Sequence, residues 1–201
     1  LKWTVVLAIV SFLCGTITGL AIALLRTSGY PAVERTTAGY IALFQGTPLL
    51  MQLFVVYYAL ALYGLKIDAW IAVAIGFTLH ASAYLGEIWR GSIEAVPRGQ
   101  VEAAKALSLN YFWRTKDVIL PQAFRISLPA TIGFLVQLIK GTSLAAFVGF
   151  TELTRAGTMV SNQIFKPLLV FGIVGLMYFA LCWPLSFFGS RLETKFAAAT
   201  R

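Results

Sequence analysis

Five apolar runs separated by polar stretches set the pattern of this chain, at about residues 3–25, 48–63, 69–89, 130–150 and 168–190. A helix needs about 20 apolar residues to cross the hydrocarbon core of a bilayer. Four of the runs have that length. The second is short, and its helix starts either at Pro48 or within the segment before it. The long polar stretch, about residues 90–129, falls between the third and fourth runs. The pattern predicts an all-α integral membrane protein, one domain over residues 1–201, with five transmembrane helices and a folded loop at one membrane face.

Local signals refine the boundaries. Ser28-Gly29-Tyr30-Pro31 breaks the first helix, and Ala32 to Phe44 reads as a short amphipathic helix. Thr47 is a candidate N-cap, with Pro48 suited to the first turn that follows. Gly64 to Asp68 reads as a tight turn. Gly15, Thr16, Thr18 and Gly19 put small side chains in the middle of the first run, where another helix can approach closely. In the polar stretch, Pro97 or Arg98 opens a helix with Val101, Ala104 and Leu107-Ser108 at three-to-four-residue spacing. Asn110 is a candidate N-cap for a second short helix carrying Tyr111, Phe112 and Trp113. A low helix beside an aromatic cluster is suited to seating in a partner's groove.

Composition agrees with the pattern. With 59% hydrophobic and 12% charged residues and a mean hydropathy of +0.80, too little polar surface remains for a soluble globule. The net charge of +8 does not point to nucleic acid, because the cations lie between apolar runs. They report topology instead. Arg26, Arg35, Arg90, Arg98, Lys105, Arg114, Lys116, Arg125, Arg191, Lys195 and Arg201 fall on one side, and Lys2, Lys66, Arg155 and Lys166 on the other. By the positive-inside rule the first residue is outside, and the loop and C-terminus are cytoplasmic. Cys14 and Cys182 sit in apolar runs with no metal spacing. The chain opens on leucine, so its natural start is expected upstream. No inverted repeat and no Walker-type phosphate loop is evident.

Polar groups inside the spans are costly and are therefore candidates for function. His80, Tyr84 and Glu87 share one face of the third run. The simpler reading of Glu87 is an ion pair with Arg90 or a loop arginine, and of His80 a hydrogen bond to a neighbouring helix; the other reading for both is a solute pathway. Lys140, near the middle of the fourth run, is too deep to reach a headgroup easily and must meet either a buried partner or a wet cavity. With Gln137, Thr142 and Ser143 it makes a polar strip for a small solute.

Glu102-Ala103-Ala104, Leu107-Ser108 and Val118-Ile119-Leu120-Pro121 resemble the EAA loop of ABC importer permeases. Gln45-Gly46-Thr47-Pro48-Leu49, Ala83 to Gly91, Gly99 to Ala104, Leu120 to Ala123 and Lys140 to Leu144 are similar to blocks of the bacterial branch that imports polar amino acids, the permeases for histidine, glutamine and glutamate among them. The resemblance covers most of the chain from about Thr37 onward.

It implies the five-helix type I permease core, with Gly99, Glu102, Ala103, Ala104, Leu107, Ser108 and Leu109 coupling to an ATPase. The implied partners are two ATP-binding subunits, a second identical or homologous permease subunit and an extracytoplasmic amino-acid-binding protein, in the inner membrane and among its lipids. ATP and magnesium would reside on the ATPases, so this chain binds no cofactor and is not an enzyme. Leu120-Pro121 and Leu128-Pro129 would stiffen the joint between loop and spans. Ser108 stands where glycine is usual, as does Gly141 where aspartate is common. A stand-alone ion-coupled carrier using His80, Glu87 and Lys140 is the alternative, and a membrane-embedded enzyme has only scattered serines, a histidine and a glutamate behind it.

Overall fold

The structure, a computed structural model, describes residues 1–64 and 67–198, and every regular element among them is helical. The elements are α1 (Lys2–Arg26), α2 (Pro31–Gln45), α3 (Leu49–Phe54), α4 (Leu60–Leu62), α5 (Ala69–Glu94), α6 (Arg98–Ala106), α7 (Tyr111–Trp113), α8 (Leu120–Gly141), α9 (Leu153–Ile164) and α10 (Pro167–Ala198). A π-helical turn, Val55–Ala59, joins α3 to α4; another, Arg114–Ile119, leads into α8, which Thr142–Val148 prolongs as 3-10 helix. Lys66 and Arg201, counted above among the charges that set topology, lie outside the described residues.

Four stretches are long and apolar enough to cross a membrane: α1, α5, the continuous Tyr111–Val148 and α10. A fifth crossing exists if α2 and α3, bent by 102° at their junction, count as one broken span.

The bundle is built around α5. In a bilayer, helices associate through close packing and hydrogen bonds rather than by leaving water, so small residues mark the contact faces. α1 lies parallel to α5 across such a face. A Cβ added at Gly15 would stand 2.5 Å from the Cβ of Ala81, and one at Gly19 would stand 3.0 Å from the Cβ of Leu85. Only glycine permits this approach. α8 runs antiparallel on another side of α5: Trp89 Nε1 donates to Thr131 Oγ1 at 3.0 Å, and Tyr84 stacks on Phe134 with ring centroids 5.4 Å apart. Leu7, Leu53, Phe77, Leu85 and Leu138, from four of the spans, fill the buried centre. α10 packs antiparallel on α8, with Cys182 against the layer of Val136 and Ile139.

Several boundaries differ from the sequence reading. The polar stretch read as loop from about 90 to 129 is largely helical at both ends. α5 runs on to Glu94, because Arg90 bridges Glu87 and Glu94 along one face. α8 begins at Leu120, where Pro121 occupies the first turn, in which its missing N–H costs nothing. Pro129 lies inside α8 and so is part of the span rather than of a joint outside it. The fourth crossing accordingly starts ahead of residue 130 and ends in 3-10 helix. The segment between the last two crossings contains α9. Thr47 is not an N-cap: its hydroxyl donates back to Leu43 O at 2.7 Å, and Pro48 takes the cap position of α3.

Candidate functional site

Two regions hold the residues singled out from the sequence. The first is the loop between α5 and α8. Its helix α6 is seated by Ala104, 3% exposed, while Glu102, Ala103 and Leu107 point outward, Leu107 at 75% exposed. Gly99 is exposed in the first turn, and a Cβ there would meet nothing within 4 Å. Beneath α6, Val96, Ile119 and Ala123 form a small buried cluster with Ile93 and Val101 against it. The loop is thereby fixed to the ends of both α5 and α8.

Ser108 ends α6 with φ of 58°. The N–H of Leu109 reaches Ala104 O at 3.1 Å and the N–H of Ser108 reaches Lys105 O at 2.8 Å, which is the hydrogen-bond pair of a Schellman ending. A side chain in this left-handed region costs about 1 kcal/mol. Asn110 then caps α7, its Oδ1 accepting from Trp113 N at 3.1 Å. Tyr111, Phe112 and Trp113 stay half exposed. Tyr111 and Phe112 lean over the last turns of α1, enclosing with Leu24, Leu25 and Leu120 an apolar hollow of about 560 Å³. Lys116 Nζ lies 5.0 Å from the Trp113 ring, within cation–π range.

The second region is a groove of about 480 Å³ between α3, α5 and α8, with Thr47, His80, Tyr84, Gln137, Lys140 and Ser143 as its polar lining. On α8, Ala130, Gly133, Gln137 and Lys140 are all exposed at three-to-four-residue spacing, so they form one stripe along the helix. A membrane helix does not leave glutamine and lysine to acyl chains. Phe134 and Tyr84 supply the aromatic wall.

Not every residue of the predicted strip reaches this groove. Thr142 is fully buried and its hydroxyl donates to Ile139 O at 2.6 Å. Glu87 is held by Arg90 in two parallel contacts, Oε1 to Nη2 at 2.5 Å and Oε2 to Nε at 2.9 Å. It belongs to the ion pair and not to the groove lining.

Gln52, 8% exposed, was not among the sequence candidates. The bend between α2 and α3 strands carbonyls that no longer have helical partners. Gln52 Nε2 donates to Phe44 O at 2.7 Å, Thr47 O at 3.0 Å and Thr47 Oγ1 at 2.9 Å. This fixes the amide, so its Oε1 faces His80 Nδ1 at 3.0 Å. His80 therefore carries its proton on Nδ1 and leaves Nε2 as an acceptor. Nothing in the sequence joins positions 52 and 80, and only an unpaired glutamine within an apolar run gave a signal.

Glu152 was also missed. It is 1% exposed and caps α9, its carboxylate accepting from Thr154 N at 2.7 Å, Arg155 N at 2.8 Å and Tyr178 OH at 2.9 Å. Nearby, Leu153 N donates to Thr4 Oγ1 at 3.0 Å, tying α9 to the start of α1. Glutamate is not a usual capping residue, which is why the sequence gave no sign of it.

A family model described as "binding-protein-dependent transport system inner membrane component" matches residues 6–198. Among curated proteins, the chain is 35% identical to the probable amino-acid ABC transporter permease protein YckA of Bacillus subtilis, over 97% of this chain and 86% of that one. It is 35% identical to the arginine transport system permease protein ArtQ of the same organism, over 96% and 88%. A solved amino acid ABC transporter with histidines is 31% identical, with a TM-score of 0.89 over 97% of this chain and 91% of that one. The MetNI methionine ABC transporter, 20% identical with a TM-score of 0.82 over 96% and 93%, shares the fold. The helical bundle, its loop and these matches agree, and the chain belongs to the family of inner-membrane components of binding-protein-dependent transport systems.

Proposed function

We propose that this permease subunit forms half of a passage for polar amino acids in the bacterial inner membrane and takes its power from a separate ATPase docked on α6. The observation that carries the reading is the construction of the loop. Its inner side is anchored to the ends of α5 and α8 through Val96, Ala104, Ile119 and Ala123, while Glu102, Ala103 and Leu107 stand free. A docked partner that moves α6 therefore moves two spans together. Gly99, Ser108 and Leu109 complete the docking helix and its ending.

The assembly proposed has two ATP-binding subunits, which hold ATP and magnesium, a second permease subunit, identical or homologous, across the groove, and an extracytoplasmic binding protein that delivers the amino acid. The loop lies in the cytoplasm with the C-terminus, and the first residue is outside. The amino-acid class is supported by the relatives' descriptions and by a groove whose lysine, hydroxyls and amide suit a carboxylate and an ammonium together. Two of the three groups that an ion-coupled carrier would use are committed elsewhere, Glu87 to Arg90 and His80 to Gln52.

The test is gentle purification from native membranes, with identification of what co-purifies. An ATPase should accompany the wild type and be lost from the Glu102→Lys, Ala103→Arg double variant, both substitutions lying on the free side of α6. An intact complex or unimpaired uptake in the double variant counts against coupling through this loop.

A further inference from the structure

The hollow between α1 and α7 is apolar, with nothing beyond Lys116 to say what covers it. The Glu152 cap is fully satisfied. The groove between α3, α5 and α8 is one-sided in charge.

We infer that the groove selects by charge, passing acidic and neutral polar amino acids and rejecting those with a cationic side chain. This rests on reading the groove as half of the passage. Lys140 lines it, and no aspartate, glutamate or arginine does among the described residues. The Lys140 ammonium takes part in neither ion pair found among those residues, both of which belong to Arg90. It lies fifteen residues beyond Arg125, or about 22 Å along the helix, beyond reach of the cytoplasmic headgroups, so holding its charge in the groove wall has a cost. An anion in the groove relieves that cost.

The carboxylate shared by all amino acids pairs with Lys140. Their ammonium has Gln137, Ser143 and the faces of Tyr84 and Phe134, which receive a cation without a counter-charge. A second cation on the solute's side chain finds only neutral acceptors, Thr47 and His80 among them, and no carboxylate among the described lining residues. Glu87 is held by Arg90, and Glu152 is buried under its own cap. The like charge of Lys140 then acts as the repulsive element that specificity requires. A side-chain carboxylate or amide meets no such penalty.

Gly141 makes the idea reversible. A Cβ there would meet Leu49 Cδ2 at 3.4 Å and Phe77 Cε1 at 3.5 Å, ordinary contacts. A Cβ is therefore accommodated, and Gly141→Asp is expected to add a carboxylate beside Lys140.

The experiment measures equilibrium binding of labelled L-glutamate, L-glutamine and L-arginine to the purified permease–ATPase complex, with the outer binding protein left out so that its own selectivity does not intervene. In wild type, glutamate and glutamine should bind at least about ten-fold more tightly than arginine. Lys140→Gln should reduce the glutamate-to-arginine ratio about ten-fold, and Gly141→Asp should raise arginine binding by a similar factor. Co-purification of the ATPase checks the fold of each variant, and if Lys140→Gln does not accumulate, the wild-type ratio and Gly141→Asp decide. Arginine bound as well as glutamate in wild type, ratios unmoved by both variants, or no retention of any of the three overturns charge selection while leaving the permease intact. Absence of an ATPase from folded wild-type protein overturns the permease reading instead.

Discussion

α5 and α10 are both apolar helices of spanning length, yet 56% of the spanning window of α5 is buried and only 17% of that of α10. The more hydrophobic of the two is the more exposed: mean hydropathy over the window is 1.4 for α5 and 2.2 for α10. In water the order would be reversed, but in a bilayer apolar side chains are at home on the outside. What marks a central helix is the ability to be approached and to bond sideways. α5 has Gly76, Ala81, Ser82, Ala83 and Gly86 buried, with His80, Tyr84 and Trp89 reaching neighbours. α10 presents Leu168, Leu176, Phe179, Trp183 and Phe188 outward, a surface suited to acyl chains.

The largest effect should come from closing the gap beside α5. A Cβ at Gly15 would lie 2.5 Å from the Cβ of Ala81 and 3.3 Å from its backbone carbon, and backbone does not swing aside. Gly15→Leu should cost about 3 kcal/mol or more, read as a large fall in the detergent unfolding temperature or loss of folded protein. Gly172→Leu on α10, where nothing lies within 4 Å, should change it little. Equal losses from both would erase the distinction between the two helices.

Next in size is the polar tie from α3 to α5. Gln52→Ala strips partners from the carbonyls of Phe44 and Thr47 and from the buried Nδ1–H of His80. Unsatisfied buried groups of this kind cost roughly 2–3 kcal/mol in total. The bend between α2 and α3 should also loosen, seen as faster amide exchange around Gly46. A stability loss no greater than that of a surface substitution would mean water had replaced the side chain, and that the groove is wetter than its aromatic wall implies.

These residues show what the sequence made legible. The small residues of α1, the Asn110 cap and the start of α6 near Pro97 rest on local rules, each decided within a few positions of chain, whereas the strained ending at Ser108 showed only as a departure from the glycine of the resembled family. The Glu87–Arg90 pair is a one-turn relation and was open to the same reasoning. The 102° bend was not, because it depends on Gln52 reaching back over eight residues to Phe44 O. The burial of Thr142 and the exposure of Gln137 depend on which way α8 faces α5, and a hydropathy run carries no such angle. The start of α8 at Leu120 was hidden because two prolines read as stiffening a joint outside the span, where one sits harmlessly in the first turn and the other is tolerated within the helix.

On the side of α10, the polar tie is between Tyr178 OH and Glu152 Oε2, 2.9 Å apart. Tyr178→Phe removes the hydrogen bond to a carboxylate that keeps two backbone donors, and with it the longer contact of Tyr178 OH with Thr154 Oγ1 at 3.3 Å, so the expected loss is about 1.5 kcal/mol. Unfolding temperature checks it, and α9 should loosen before α10 does. A loss as large as that of Gln52→Ala would make α10 as firmly bonded as α5, contrary to its exposure.

The smallest effects separate two glycines of α10 itself. At Gly175 an added methyl meets nothing within 4 Å, so Gly175→Ala gains helix propensity, up to about 1 kcal/mol. At Gly189 the methyl would lie 3.2 Å from Ile132 Cγ2, tighter than an ordinary contact, though the atom met is the end of a side chain that can shift. The propensity gain and the repacking cost then nearly cancel, and Gly189→Ala should leave stability within about 0.5 kcal/mol of wild type. Parallel thermal unfolding of the two variants decides the point. If Gly189→Ala is clearly the worse, α10 locks to α8 at that end. If the two gain alike, α10 is held through Tyr178, the Cys182 layer and the packing of Val170 and Val174 on α9, and the end that carries Gly189 is free to adapt to whatever surrounds it in the membrane.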